Sequence, residues 1–136
     1  MKVGVLGGTF DPIHVGHIAI AGGAIEELKL DRVLFMPAGQ PWMKSENPIS
    51  PKAHRLEMVK LAVKPFKEFE VSDIEINRLG PTYTFDTLNQ LKEGSHRQSD
   101  IYLILGIDAA LAIQEWHKPR EVARLCELII APRGDS

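Results

Sequence analysis

Apolar runs of strand length alternate with helix-like patterns along this chain, and no other feature of the sequence constrains the fold as strongly. The predicted strands cover residues 2–7, 32–36, 69–72, 101–105 and 128–131. The predicted helices cover residues 16–28, 51–63, 84–92, 109–114 and 119–125. This alternation is typical of parallel strands joined by crossover helices. We therefore predict an α/β fold, a Rossmann-like open parallel sheet of about five strands with crossover helices on both faces.

Composition and charge predict one domain without a polyanionic partner. The chain has 136 residues, 44% of them hydrophobic, and no linker or repeat divides residues 1–136. A net charge of −2 gives no sign of a nucleic acid or a membrane surface as partner. The single cysteine, Cys126, excludes an internal disulfide, and its leucine neighbours favour a structural thiol over a nucleophile. With neither a membrane-spanning stretch nor a signal peptide in view, we expect a cytoplasmic protein.

One segment near the start, residues 5–17, reads VLGGTFDPIHVGH. A buried strand that ends at Gly7 and Gly8 can turn sharply there, and a helix that begins near Gly16 adds unpaired backbone N–H groups with partial positive charge. His14 and His17 are three residues apart, so both rings face one side of that helix. Imidazoles donate hydrogen bonds to phosphoryl oxygens and share developing charge. The segment therefore predicts a phosphate site with two histidines at its mouth.

Other interpretations of this segment are less well supported than the phosphate site. Its spacing matches neither the Walker loop nor the dinucleotide Gly-x-Gly-x-x-Gly pattern. A His-x-x-His pair can chelate zinc from one helix face, but no cysteine, glutamate or third histidine lies nearby to complete the site. Histidines satisfied in a core are common, yet packing does not readily explain two of them around a glycine. The phosphate site is the favoured interpretation.

At these residues the chain resembles a known superfamily. The run GGTFDPIHxGH is similar to the signature of the nucleotidyltransferases with a His-x-Gly-His element, and within them the chain most resembles the bacterial nicotinate mononucleotide adenylyltransferases. Further similar stretches follow in order: MPAG (36–39), HRLEM (54–58), GPTYTFDTL (80–88), GID (106–108), Trp116 and Arg133. The phosphopantetheine adenylyltransferases share only the first run. The resemblance thus covers essentially the whole chain.

The resemblance implies a reaction and a set of site residues. The adenylyl group of ATP would pass to the phosphate of nicotinate mononucleotide, giving deamido-NAD and pyrophosphate in NAD biosynthesis, with no covalent enzyme intermediate. Mg²⁺ is expected on the ATP phosphates, and no protein ligand is assigned to it. The implied catalytic residues are His14, His17 and Lys44. The implied ATP-binding residues are Gly7, Gly8, Thr9, Phe10, His14, His17, Gly106 and Asp108.

The acceptor would bind to a second set of residues, Tyr83, Thr84, Trp116 and Arg133. Aromatic rings offer a stacking face to the pyridine, N–H groups near Thr84 could receive a carboxylate, and Arg133 could clamp a phosphate. Each assignment has a structural alternative. The Tyr-Thr run also suits a helix cap, Trp116 also suits the core, Lys44 also suits a solvated surface, and Asp108 also suits a helix cap.

The chain departs from the resembled family in two places. It has PWMK at residues 41–44 where the family commonly has Pro-Pro-His-Lys, so Met43 replaces a hydrogen-bonding group. The family's Ser-Thr-x-x-Arg-type element after Arg133 is not seen, so we expect a chain that is short at this end, with Ile129 and Ile130 uncovered and open to homo-oligomer pairing. Two alternatives to the leading activity therefore stay open: a related adenylyltransferase with another phosphorylated acceptor, and a nucleotide-binding homologue without turnover.

Three local expectations concern helices. Gly22 and Gly23 weaken the first helix, so close packing on the sheet should compensate. Ser50 and Pro51 suit the N-cap and first turn of the second helix, whose apolar side would include Leu61. Arg55 is a second-rank site candidate, because a salt-bridged surface position would also explain it.

Overall fold

The computed structural model describes residues 1–39 and 49–131, and the predicted α/β sheet is confirmed there. Its five strands all pair in parallel in the order β3-β2-β1-β4-β5. The strands are β1 (Lys2–Gly8), β2 (Arg32–Pro37), β3 (Phe69–Val71), β4 (Asp100–Gly106) and β5 (Glu127–Ala131). The helices are α1 (Val15–Leu28), α2 (Lys52–Val63), α3 (Thr84–Glu93), α4 (Ile107–Leu111) and α5 (Pro119–Leu125). The helix predicted at 109–114 is instead split between α4 and a 3₁₀ turn at Ile113–Glu115.

Helices cover both faces of the sheet. Alternate residues of each strand point to opposite sides, so both faces are apolar and each is buried under helices. On one face, α1 and α2 pack through residues such as Ala21, Val59 and Val63. On the other face, α3 and α5 contribute Leu88 and Val122. Strand residues buried on both sides explain why the strands appear in the sequence as continuous apolar runs.

The sheet order places a switch point at the carboxyl ends of β1 and β4. The crossovers from β1 lead to β2 and β3 on one side, whereas β4 and β5 lie on the other side. In open parallel sheets, ligands bind in the crevice where the strand order reverses. The loops that follow β1, β2, β3 and β4 all leave from this edge of the sheet.

The two helix-interior glycines do not pack closely on the sheet, contrary to expectation. A Cβ atom added at Gly22 or at Gly23 would meet no heavy atom within 4 Å. Helix α1 therefore carries the conformational cost of two glycines without a packing reason among the described residues.

We expect Gly22→Ala to stabilise the protein by about 0.5–1 kcal/mol, because alanine restricts the unfolded chain and fits the helix without contact. Urea unfolding of the purified chain measures this change. Gly4→Ala is the control, since its Cβ would lie 3.0 Å from Leu30 Cδ1 and 3.2 Å from Ile104 Cδ1. A lower unfolding midpoint for Gly22→Ala than for the parent would contradict the prediction.

Three expectations from the sequence need correction. Pro51, not Ser50, is the N-cap residue of α2, and no side chain caps that helix end. Leu61 does not belong to the apolar side of α2, because it faces away from the sheet and is 69% exposed. Strand β5 is an edge strand on which Ile130 is exposed, as expected, but Ile129 is partly buried against the α1 and α2 face. Across residues 1–39 and 49–131, no helix has both the length and the apolar character needed to span a bilayer.

Candidate active site at the carboxyl edge of the sheet

His14 and His17 close the amino end of α1 with reciprocal hydrogen bonds. His14 is the N-cap residue, and its Nδ1 accepts the backbone N–H of Gly16 at 3.1 Å. His17 Nδ1 in turn accepts the backbone N–H of His14 at 3.1 Å. The ring centroids lie 4.0 Å apart at an interplanar angle of 33°. Both imidazoles are thus fixed side by side at the first turn of the helix.

These bonds determine which ring nitrogens are available to a ligand. A neutral imidazole carries one N–H, and because both Nδ1 atoms act as acceptors, the proton of each neutral ring is on Nε2. Burial, and then the neighbouring His14, lower the pKa of His17. His17 is therefore neutral near pH 7, and its Nε2–H is a donor of the kind a phosphate oxygen accepts. Protonation would turn Nδ1 into a donor and break the bond to His14.

The glycine between the histidines is required by this cap. A Cβ at Gly16 would lie 2.9 Å from Cε1 and 3.0 Å from Nδ1 of His14, so a side chain there would displace the ring. The ring of Phe10 packs edge-to-face against the imidazole of His17, with a distance of 4.9 Å between the ring centroids. The spacing of glycine and histidine thus follows from the geometry of the helix cap.

The turn before α1 is made differently from the sequence prediction. Gly7 and Gly8 continue β1 and pair with Met36 and Pro37, and neither has a positive φ. The left-handed residue is Phe10, with φ 50°, which a bulky side chain rarely adopts. Phe10 is nevertheless buried. The Ala38 N–H donates to the Gly8 carbonyl at 2.9 Å, which joins this turn to the end of β2.

Arg55 is a buried residue, which excludes the alternative of a salt-bridged surface position. It is only 1% exposed. This burial lowers the pKa of its guanidinium, and the charge of nearby Asp11 opposes the shift. Its guanidinium donates to backbone carbonyls of residues 9, 38, 39 and 50. The spacing of Arg55, Val59 and Val63, four residues apart, placed it on the buried stripe of α2 and was the signal available in the sequence.

Asp11 connects to the same group of residues. Its Oδ2 accepts the backbone N–H of Ser50 at 2.8 Å. Hydrogen bonds from the Ser50 side chain and backbone lower the pKa of Asp11, and the charge of Arg55 acts in the same direction. The carboxylate form is thus the one that this loop stabilises.

Gly106 and Asp108 lie where β4 ends and α4 begins. Gly106 is the N-cap residue of α4 and Asp108 lies in its first turn, so Asp108 is not the cap residue that the structural alternative proposed. Asp108 is exposed at the carboxyl edge. The ATP-binding role that the resemblance implies for Asp108 stays a prediction.

Tyr83 and Thr84 lie at the amino end of α3, and a histidine that sequence analysis missed joins them. Tyr83 is the N-cap residue without a side-chain capping bond. Its ring stacks on His117 at a centroid distance of 4.7 Å and an angle of 35°. Trp116 is partly buried against the α3 and α5 side of the core, so it combines core packing with some exposure. No sequence motif distinguished His117, which follows Trp116 directly.

A buried polar network supports the start of α3. Thr87 Oγ1 donates to Glu75 Oε2 at 2.7 Å and accepts from Arg78 Nη1 at 2.8 Å. Burial raises the pKa of Glu75, and the bonds from Thr87 and the charge of Arg78 oppose that shift. This network ties the loop after β3 to α3. It was not visible in the sequence, because Glu75 and Arg78 belong to no motif and nothing in the sequence pairs them with Thr87.

Two predicted site residues, Lys44 and Arg133, lie outside the described residues, as does Met43. Among residues 1–39 and 49–131, no group of three or more His, Cys, Asp or Glu side chains is arranged to hold a metal ion. Burial raises the pKa of the Cys126 thiol to about 11, which agrees with a structural thiol rather than a nucleophile.

Known proteins similar to this chain include nucleotidyltransferases, as the sequence resemblance predicted. A family model described as cytidylyltransferase-like matches residues 5–134. A protein of Dehalococcoides mccartyi (strain ATCC BAA-2266 / KCTC 15142 / 195), named "Probable nicotinate-nucleotide adenylyltransferase", is 51% identical over 98% of this chain and 65% of its own length. A protein of the same name from Synechococcus sp. (strain JA-3-3Ab) is 44% identical over 99% of this chain and 65% of its own. The chain thus spans about two thirds of the length of these curated relatives.

Solved structures agree on the fold. Plasmodium falciparum nicotinic acid mononucleotide adenylyltransferase complexed with NaAD superposes with a TM-score of 0.81, at 21% identity, over 98% of this chain and 65% of the other. The same enzyme complexed with APC gives a TM-score of 0.80 over the same shares.

Proposed function

Because the chain belongs to the cytidylyltransferase-like family, we propose that it transfers the adenylyl group of ATP to nicotinate mononucleotide. In this reaction a phosphate oxygen of the acceptor attacks the α-phosphorus of ATP. The bond from the α-phosphorus to the bridging oxygen breaks, and pyrophosphate leaves with the electron pair. The products are deamido-NAD and pyrophosphate. Such in-line transfer needs positioned phosphates and stabilised charge rather than a nucleophilic side chain.

The observation that carries this proposal is the histidine cap of α1. Both Nδ1 atoms are occupied by backbone N–H groups, so in neutral rings both Nε2–H groups are available to phosphate oxygens. The turn from Gly7 to Phe10 precedes them at a helix N-terminus, where an anion is favoured. We assign His14 and His17 to the α-phosphate and the departing pyrophosphate. Gly106 and Asp108 would bind the nucleotide at the neighbouring strand end.

The remaining roles are proposals of the same kind. Lys44 and Arg133 would contact phosphates, and Tyr83, Thr84 and Trp116 would hold the pyridine end of the acceptor. Mg²⁺ would arrive as Mg-ATP, since this ion binds well through phosphate oxygens and retained waters. The protein would act in the cytoplasm, a reducing compartment that suits its single free cysteine.

Pyrophosphate release from Mg-ATP by the purified chain tests the proposal. The assay compares nicotinate mononucleotide with its amide analogue and with phosphopantetheine. Release with the nicotinate form alone is the expected result. Release with a different acceptor would favour a related adenylyltransferase, and Mg-ATP binding without release would favour a nucleotide-binding homologue.

Self-association through β5 is a further part of this proposal. The strand lies at the sheet edge, and Leu128 and Ile130 are 40% and 56% exposed. An exposed apolar edge can pair with a second copy. Light scattering over a wide concentration range should show a mass that rises with concentration, whereas a monodisperse monomer throughout would count against it.

A further inference from the structure

Arg55 joins three separate segments of the chain at the edge of the candidate site. Its Nη1 donates to the Thr9 carbonyl at 2.9 Å and to the Ala38 carbonyl at 2.6 Å. Its Nη2 donates to the Gly39 carbonyl at 3.2 Å, and its Nε donates to the Ser50 carbonyl at 2.9 Å. Four hydrogen bonds to main-chain oxygens are an unusual use of a buried guanidinium, whose common partner is a carboxylate.

The first of these bonds sets the direction of a peptide group in the turn. A trans peptide is planar, so its N–H and C=O point in opposite directions. Because the Thr9 carbonyl is held by Arg55, the N–H of Phe10 points away from the guanidinium. Phe10 has φ 50°, a conformation that costs free energy for a bulky residue and persists only where its surroundings determine it.

The other bonds hold this turn against its neighbours. Ala38 accepts from Arg55 through its carbonyl and donates to Gly8 through its N–H, so the end of β2 is fixed from both sides. Ser50 accepts from Arg55 and donates to Asp11, which belongs to the same turn as Thr9. The bonds therefore form a closed circuit from the turn through Ser50 and Arg55 back to the turn.

We propose that Arg55 is a positioning residue, whose guanidinium orients the Thr9–Phe10 peptide and fixes the phosphate turn against the end of β2. The inference rests on the proposed function only in taking this turn as the phosphate site. The Arg55 guanidinium donates to main-chain carbonyls and would not touch the reacting atoms. It acts by holding the backbone that would contact the phosphates.

Lysine at this position provides the sharpest test. Arg55→Lys keeps the charge but replaces a planar fork of five N–H donors by one ammonium, which cannot reach all four carbonyls in the same geometry. We expect hydrogen exchange at the Ala38 amide to become about tenfold faster, with exchange at Leu103 in β4 unchanged. We also expect the dissociation constant for Mg-ATP, measured by calorimetry, to rise about tenfold. Arg124→Lys, an exposed change on α5, is the matched control and should alter neither value.

The outcomes separate positioning from a merely structural role. A lower melting temperature for Arg55→Lys with unchanged Mg-ATP affinity would overturn the proposal, as would unchanged exchange at Ala38. Arg55→Met removes the charge and the donors together. If this variant folds, its Mg-ATP affinity and its protection at Ala38 should fall at least as far as those of Arg55→Lys. If it does not fold, the lysine variant alone tests the proposal. A parent chain that binds Mg-ATP but releases no pyrophosphate would count against the proposed function and leave this test intact. A parent chain that binds no Mg-ATP would overturn the premise that this turn is a phosphate site, and the proposal with it.

Discussion

His17→Ala should lower the rate of adenylyl transfer about 100- to 1,000-fold while changing the affinity for Mg-ATP by less than about tenfold. The lost group is the Nε2–H that would meet charge developing on the phosphate oxygens, and removing one such donor has an effect of this size. An interaction stronger in the transition state than in the ground state affects turnover more than binding. Pyrophosphate release and calorimetry with Mg-ATP measure the two quantities.

A second variant separates this role from the helix cap. His17 Nδ1 also accepts the N–H of His14, so the alanine variant loses a capping bond. His17→Asn can retain an acceptor close to the Nδ1 position but has no donor where Nε2 lies. We therefore expect the asparagine variant to be more stable than the alanine variant, yet equally slow. Recovery of turnover with asparagine, or equal losses in turnover and binding, would reduce His17 to a capping or binding residue.

Gly39→Ala should destabilise the fold by about 3 kcal/mol, the largest stability change that we predict. A Cβ at this position would overlap the Glu75 carbonyl oxygen and lie 3.1 Å from its carbonyl carbon, so main chain must move on one side. The Gly39 carbonyl also accepts from Arg55, so that movement would disturb the Arg55 bonds. Urea unfolding gives the change in the free energy of unfolding.

The matched control for this variant is Gly22→Ala, the same substitution at a position with open space around it. The two variants should shift the unfolding midpoint in opposite directions. Equal stability of Gly39→Ala and the parent would contradict the close backbone approach between residues 39 and 75.

The sheet was predictable because its strands are short apolar runs that alternate with helical patterns along the sequence. Buried parallel strands give continuous apolar runs, and all five strands and most helices begin and end within a residue or two of the predicted positions. The exception is the segment after β4, where α4 and a 3₁₀ turn are too short to show a helical period. The His-x-Gly-His element was equally visible, because its spacing is that of the cap it forms.

The parts that sequence did not reveal depend on contacts between distant residues. A positive φ at Phe10 leaves no mark in the sequence, so the turn was assigned to Gly7 and Gly8 instead. Arg55 stayed a second-rank candidate because a surface salt bridge would also have explained it, and its actual partners are main-chain carbonyls, which no side-chain pattern records. At Gly22 the sequence predicted a close contact with the sheet that the structure does not contain, so the conformational cost of this glycine is not offset by local packing.

The strand order determines when the sheet can assemble during synthesis. The central strand β1 is translated before both of its partners, β2 and β4, and its residue Lys2 pairs with Asp100. All four pairings among the five described strands are parallel, so none of them is a hairpin and each requires closure of a long loop. A nascent chain can complete the middle of its sheet only after residue 106 has left the ribosome. Until then, the apolar β1 is exposed to chaperones and to other unfinished chains.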